Sequence, residues 1–309
     1  MFKRSLLLFT LLLALNGSAF ADPSTTNVDS NDSTANVIDR NNQMMMVFVQ
    51  RLKSGNVAEA RKIAKDMTAF SQKYKDSATV EYKSFYSNIE KEIYMLKNKD
   101  NKKKVVWVEE PIADGYYFLA VIDFQDKQYK DAIDNIQKCI SWNPVRSAYY
   151  CERGFIFLNA GPDSDIISAQ VAYEQALEYA NDEESFAAAL RGLGFVFALK
   201  NQFEESYAAM ILSKEYEPDS IDADEHIIRL KNLIRGIDLN IDAKKARQIL
   251  QKNHIQTTFS PEQVKVLVKL ASELKMPEEK EKAKIFLTRA LMLDPHNKEA
   301  INKLKEIQK

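Results

Sequence analysis

The residues that decide the fold are ADGYYFLAVIDFQDKQYKDAIDNIQKCISWNP, residues 113–144. Its first half carries three residues at i, i+3 and i+4, which share one face of a predicted helix: Tyr116, Leu119 and Ala120. After a polar break, three more share one face of a second predicted helix: Ala132, Ile136 and Cys139. Pro144 follows, at a place where a proline ends a helix at little cost. Since bulky residues on the first helix would meet small ones on the second, the stretch predicts two closely crossing helices.

This unit resembles a tetratricopeptide repeat, which has an aromatic residue, a Leu-Gly or Leu-Ala pair, an alanine followed by an aromatic or aliphatic residue, and a late proline. The same register returns at 187–218 and 264–295, in a lengthened form from Ser147, and in two weaker units. The resemblance implies an all-α fold, an α-solenoid of stacked helix-turn-helix repeats. Gly154 and Gly194 occupy the small crossing position of the repeat, so helix packing explains them better than a cofactor-binding turn does.

The sequence predicts four segments along the chain. Residues 1–21 read as a signal peptide and 22–42 as a flexible leader, because the leader is dense in Ser, Thr, Asn and Asp and has little bulk to bury. Residues 43–110 are predicted to be an N-terminal helical segment with a degenerate repeat and a connector. Residues 111–309 are predicted to form a tetratricopeptide-like array that ends in a capping helix.

Within the N-terminal segment, we expect a helix over roughly residues 80–97 and an extended connector at 105–108. No partner strand for the apolar residues 105–108 is visible in the sequence, and a lone strand is not stable. Trp107 is therefore expected to pack against neighbouring helices.

The first residues predict export. Lys3 and Arg4 give a positive start, residues 6–15 a short apolar core, and Ala19-Phe20-Ala21 a small-x-small cleavage site. We expect the mature chain to begin at Asp22 and to be periplasmic or secreted. The apolar core is shorter than the roughly 20 residues that a membrane span needs, and no second hydrophobic segment follows. An uncleaved N-terminal anchor is the alternative.

Composition argues against several function classes. The chain has 43 Lys and Arg against 44 Asp and Glu, for a formal net charge of −1, which argues against nucleic acid as a partner. There is no Gly-rich phosphate loop and no nucleophile elbow. Three scattered histidines lack the spacing of metal ligands and are expected in surface or capping roles: His226, His254 and His296. The sequence therefore predicts no enzyme activity, no cofactor and no metal site.

Two cysteines, Cys139 and Cys151, are equidistant from Val145, in the turn between one repeat and the next. Antiparallel helices place such positions roughly level, and the predicted compartment is oxidising. A disulfide that joins adjacent repeats is therefore predicted. The alternative is two separate buried thiols, which is favoured by the inward-facing position of Cys139.

In the family, the first helix of each repeat lines a concave groove that binds extended peptides or helices. Carried over to this sequence, the resemblance implies seven lining residues: Tyr117, Val121, Phe124, Phe155, Leu158, Arg191 and Phe195. This lining is aromatic and mostly uncharged, and it lacks the paired Lys and Arg of a carboxylate clamp. It suggests capture of a hydrophobic peptide or a partner helix. The alternative is that neighbouring helices or residues 80–110 cover these aromatics.

The leading hypothesis is therefore an exported, non-enzymatic scaffold that binds a peptide or helix of an envelope or secreted partner protein. The alternative is an envelope module that holds a glycan or a small apolar ligand among the groove aromatics. Homo-oligomer formation by end-to-end stacking stays open, although the polar last helix argues against it.

Overall fold

The computed structural model describes residues 33–233, 240–276 and 279–307, so the predicted signal peptide lies outside the described residues. The elements are α1 (Ser33–Lys53), α2 (Val57–Ala69), β1 (Val80–Lys83), α3 (Asn88–Lys97), β2 (Lys104–Trp107), α4 (Ile112–Gln125), α5 (Tyr129–Trp142), α6 (Ser147–Asn159), α7 (Ile166–Tyr179), α8 (Glu183–Leu199), α9 (Phe203–Tyr216), α10 (Ile221–Leu233), α11 (Ala243–Lys252), α12 (Pro261–Glu273), α13 (Lys280–Leu293) and α14 (Lys298–Ile307).

Stacked helix pairs make up most of the structure, which confirms the predicted all-α solenoid. Helix α4 packs on α5, α6 on α7 and α8 on α9, and each of these pairs packs on the next. Small residues at the crossing positions of the second helices are fully buried: Ala132, Ala169, Ala176, Ser206 and Ala290. Several helices begin at side chains that accept a hydrogen bond from a first-turn backbone N–H: Ser87, Asp165, Asp182 and Asp242.

Glycines allow the closest helix crossings. A Cβ on Gly154 of α6 would lie 2.7 Å from the ring of Tyr173 on α7, and Gly192 of α8 faces the same ring. A Cβ on Gly194 of α8 would lie 2.6 Å from Cε of Met210 on α9. Helix packing therefore accounts for Gly154 and Gly194.

Residues 80–107, which we call the βαβ insert, differ from the prediction. Strand β1 pairs in parallel with β2, with Val80 opposite Lys104 and Lys83 opposite Trp107. The predicted helix over 80–97 is therefore wrong for residues 80–87, since α3 begins at Asn88, and the predicted unpaired connector is wrong as well. Parallel strands need a crossover element, and α3 supplies it. The indole N–H of Trp107 donates to the carbonyl of Phe85 at 2.9 Å, within the insert.

The first helix begins within the predicted leader. Helix α1 starts at Ser33, so residues 33–42 are helical rather than flexible, while 22–32 lie outside the described residues. Once a helix is anchored, each further residue adds a hydrogen bond without a new nucleation cost. The anchor is the later part of α1, where Met45 and Phe48 are buried and the Phe48 ring stacks on Phe118 of α4.

One edge of the array is covered by other parts of the chain. Helix α3 packs against α12, and Glu92 pairs with Lys269 across this contact. Further along the same edge, the Arg289 guanidinium donates to the carbonyl of Asn181 at 2.9 Å. The insert and the C-terminal helices therefore meet along the turns that join successive repeats.

Candidate functional site

The predicted groove is largely closed in the structure. Five of its seven residues are buried: Tyr117, Val121, Phe124, Phe155 and Arg191. The first helices of adjacent repeats pack directly on each other, because large rings bridge them. The Phe124 and Phe155 ring centroids are 5.1 Å apart, and those of Tyr117 and Tyr149 are 5.5 Å apart. The prediction of an exposed groove is therefore wrong at these positions, and the same burial removes the ring faces on which a glycan would stack.

One first helix keeps an accessible inner face. Five residues of α8 recur at i, i+4, i+7, i+11 and i+14, which places them on one stripe: Glu184, Ala188, Arg191, Phe195 and Ala198. We call these residues the α8 stripe. All except Arg191 are half-buried, and Leu199 beside the stripe is 55% exposed. Leu158 of α6, a further predicted groove residue, is also half-buried. Among the predicted groove residues, the apolar side chains that stay partly accessible are therefore Phe195 on α8 and Leu158 on α6.

Arg191 lies in the middle of the stripe but is not an open contact residue. Its side chain is 5% exposed, and Nη1 lies 2.6 Å from Oε2 of Glu217, just after α9. The ion pair holds the end of α9 against α8. Within the stripe, Arg191 therefore stabilises the position of α8 against α9 and offers little surface to a partner.

The N-terminal end of the α8 stripe is acidic. Besides Glu217, the carboxylates of Glu184 and Asp222 lie near Arg191, and that of Asp182 lies near Glu184. Asp182 caps α8 by accepting from the Ser185 N–H at 2.7 Å, and its other oxygen lies 3.7 Å from Arg289. These contacts leave two carboxylates, Glu184 and Asp222, without an ion pair among the described residues.

Burial and nearby charges raise the pKa values of Glu184 and Asp222. Burial, with help from Asp182 and Glu217, raises the pKa of Glu184 to about 7, against the opposing effect of Arg191. Burial, with help from Glu225 and Glu217, also raises the pKa of Asp222, and Arg191 and Arg229 partly offset that rise. Both shifts report carboxylates that are partly desolvated and lie near other carboxylates. A cation placed here would therefore be stabilised.

His226 of α10 borders the stripe. Its ring meets that of Phe195 edge-on, with centroids 4.6 Å apart, and its Nε2 lies 2.9 Å from Oγ of Ser206. Burial, with a further contribution from Arg229, lowers the pKa of His226 to about 4, so the ring is neutral near pH 7. The surface role predicted for this histidine is wrong, because α10 buries it against Phe195. By contrast, His254 and His296 are exposed.

Sequence reasoning missed a second polar cluster, which is buried between the βαβ insert and the array. Oε2 of Glu90 accepts from Nδ2 of Asn143 at 2.6 Å, and the Tyr149 hydroxyl donates to Oδ1 of Asp114 at 2.6 Å. Arg146 lies between them, 3.9 Å from Asp114. Burial raises the pKa of Glu90, while Arg146 and Asn143 oppose the shift. This cluster joins the insert to the array through buried hydrogen bonds.

The predicted disulfide is not formed in the structure, where Cys139 and Cys151 are both free and buried. The two thiols have different polar neighbours, although both lie near Tyr117. Cys139 lies near Tyr149 and Asp114, whereas Cys151 lies near Ser147 and Arg191. Burial raises the pKa of Cys151 to about 12 and holds that of Cys139 well above its ordinary value, so both are inert thiols.

A cleft of about 400 Å³ opens where the βαβ insert, α7 and the start of α12 meet. Its polar groups largely pair with one another, as Lys97 does with Glu178 and Ser260 with Glu262. The polar groups that line this cleft therefore mainly bond to one another and link the three elements.

Comparison with known proteins supports the repeat assignment. The tetratricopeptide repeat family model matches residues 113–146, which comprise α4, α5 and the following turn. A tetratricopeptide repeat-containing protein from Methanocaldococcus jannaschii is 30% identical over 128 residues, which cover 39% of this chain and 21% of that relative. The match thus spans about a fifth of the relative's length. In the part of the chain that the structure describes, no helix combines the length and the apolarity needed to cross a bilayer.

Proposed function

We propose that this chain, which is a tetratricopeptide repeat protein, is an exported scaffold that binds a helix or an extended segment of a partner protein along the α8 stripe. Tetratricopeptide repeats indicate a protein–protein interaction scaffold. The choice of this site rests on one observation. The inner faces of α4 and α6 are largely filled by aromatic contacts between repeats, whereas Ala188, Phe195 and Ala198 of α8 are only half-buried.

Position-dependent cross-linking in cells tests the site. A photoreactive amino acid at Ala188 or Ala198 is expected to give a discrete adduct with a partner protein. The same group at Lys130 or Glu204, which are exposed on second helices, is the matched control and should give none. Equal adducts from both sets of positions would contradict the proposed site.

Export is supported by the charged start, apolar core and small-x-small site within residues 1–21. When the full chain is expressed in a two-membrane bacterium, the periplasmic fraction should contain a form whose intact mass corresponds to a chain beginning at Asp22. Retention of the full-length chain in the cytoplasm would contradict export and leave the binding proposal intact.

A further inference from the structure

The proposed site has two ends of different chemistry. Phe195, Ala198 and the exposed Leu199 make the C-terminal end apolar, whereas Glu184 and Asp222 make the other end acidic. Because a helix rises about 1.5 Å per residue, Glu184 and Ala198 lie about 21 Å apart along α8. A partner helix of about 14 residues would span the same length and contact both ends.

The acidic end has more carboxylates than cations. Arg191 pairs with Glu217, and Arg289 lies within ion-pair distance of Asp182. Arg229 also acts on Asp222, although its guanidinium pairs with Glu225. Glu184 and Asp222 form no such pair within the described ranges. Moreover, Oδ2 of Asp222 is buried without a hydrogen bond. A carboxylate oxygen in that position has lost water and gained no donor, which is costly.

We propose that the segment received by the α8 stripe is basic at one end and apolar at the other, with Lys or Arg donating to Glu184 and Asp222 and apolar side chains covering Phe195 and Ala198. The inference rests on the proposed function, since it concerns the same site. Cationic donors form charge-assisted hydrogen bonds with carboxylates. The carboxylates of this end also attract a basic segment and repel an acidic one before contact. A partner cation beside Glu184 favours the ionised form of that carboxyl, which lowers its raised pKa.

Selection of peptides from a random library tests this chemistry. Displayed peptides of about 16 residues, long enough for a helix over the stripe, are selected against the immobilised mature chain. Enriched peptides should carry Lys or Arg near one end and apolar residues at helical spacing. They should bind the double variant Glu184→Lys/Asp222→Lys at least about tenfold more weakly, because close charge pairs contribute strongly across an interface.

A matched variant controls for net charge. Asp131→Lys/Glu204→Lys changes the charge by the same amount at two exposed carboxylates on second helices. All four substituted residues lie in the first turn of a helix, so the effect on the helix dipole is matched as well. The control should bind the enriched peptides within about twofold of the unmodified chain, since its changes lie away from the stripe. Circular dichroism and urea unfolding verify that both variants fold.

The remaining outcomes separate the two proposals. Enriched peptides that lack basic residues, yet lose binding on Ala198→Glu, would overturn the inference and leave the site in place. Peptides insensitive to Ala198→Glu and to the double variant would overturn both. A concentration-dependent dimer of the unmodified chain that Glu184→Lys/Asp222→Lys disrupts would identify a second copy as the occupant and overturn the inference.

Discussion

The inner faces of α4 and α8 occupy equivalent positions in their repeats and differ in what fills them. Tyr117 and Phe124 of α4 correspond to Arg191 and Ala198 of α8, by the common register of residues 113–144 and 187–218. On α4 these positions are buried, because each ring bridges to the next first helix. On α8 the guanidinium pairs with Glu217 and the alanine stays half-buried. The same backbone therefore serves as core in one repeat and as surface in another, and side-chain size decides between them.

The largest expected effect comes from removing a ring on the closed face. Phe124→Ala should lower the free energy of unfolding by about 3–5 kcal/mol, since the loss of a buried ring combines transfer and cavity terms. Ala198→Phe makes the reverse exchange at the equivalent open position. It should change the free energy of unfolding by less than about 1 kcal/mol, because a half-buried site has room for the ring.

Urea unfolding followed by circular dichroism measures both changes. The comparison fails if the two substitutions have similar effects, because the two inner faces would then be equally packed. Ala198→Phe should also weaken partner binding, since the added ring covers part of the α8 stripe.

The next largest effect is expected at the glycines of the helix crossings, where Gly154 and Gly194 can be compared. In Gly154→Ala the new methyl group meets the Tyr173 ring, which cannot retreat because Gly192 of α8 lies close to it as well. We expect a loss of about 1–3 kcal/mol in the free energy of unfolding, as overpacking usually causes. In Gly194→Ala the methyl meets chiefly the end of the flexible Met210 side chain, with the Ser206 carbonyl oxygen farther off at 3.3 Å, so the loss should be smaller.

Thermal unfolding of the two alanine variants at one protein concentration gives the comparison. If Gly194→Ala proved the more damaging, rigidity of the neighbour would not control the crossing. The argument from Tyr173 would then be wrong.

Much of the fold could be predicted from local spacing. Positions such as Ala132 and Ile136 lie on one face because the helical period is fixed, and both are fully buried. The pairing of β1 with β2 could not be predicted in the same way. Each strand has only four residues, and the partners are 24 positions apart, as in Val80 and Lys104. Nothing local in the sequence identifies the partner of so short a strand.

The site was harder to predict than the fold. The register places Tyr117, Phe124 and Phe155 on inner faces, but it does not say whether a neighbouring helix covers those faces. A signal was present in their size, since large rings at equivalent positions of adjacent helices favour mutual burial. The small residues Ala188 and Ala198 marked the face that stays accessible. The buried cluster of Glu90 and Arg146 depends on the insert meeting the array, a contact that no local pattern encodes.

The smallest expected effect concerns Glu184 at the acidic end of the open face. Its folded pKa of about 7 exceeds the ordinary value of 4.5, so the folded chain holds a proton that the unfolded chain has released between these pH values. The stability contribution is therefore fully present below 4.5 and is lost as the pH rises through 7. Because the group is about half exposed, we expect this decrease in the free energy of unfolding between about pH 5 and 8 to be about 1 kcal/mol or less. Glu184→Gln should abolish it.

Urea unfolding at several pH values measures how the free energy of unfolding changes with pH. Glu204→Gln, a change at an exposed first-turn carboxylate, should leave that dependence unchanged. An identical slope in the Glu184→Gln variant and the unmodified chain would mean that burial and the neighbouring carboxylates do not raise the pKa of Glu184, and the open face would then differ from the closed one in shape alone.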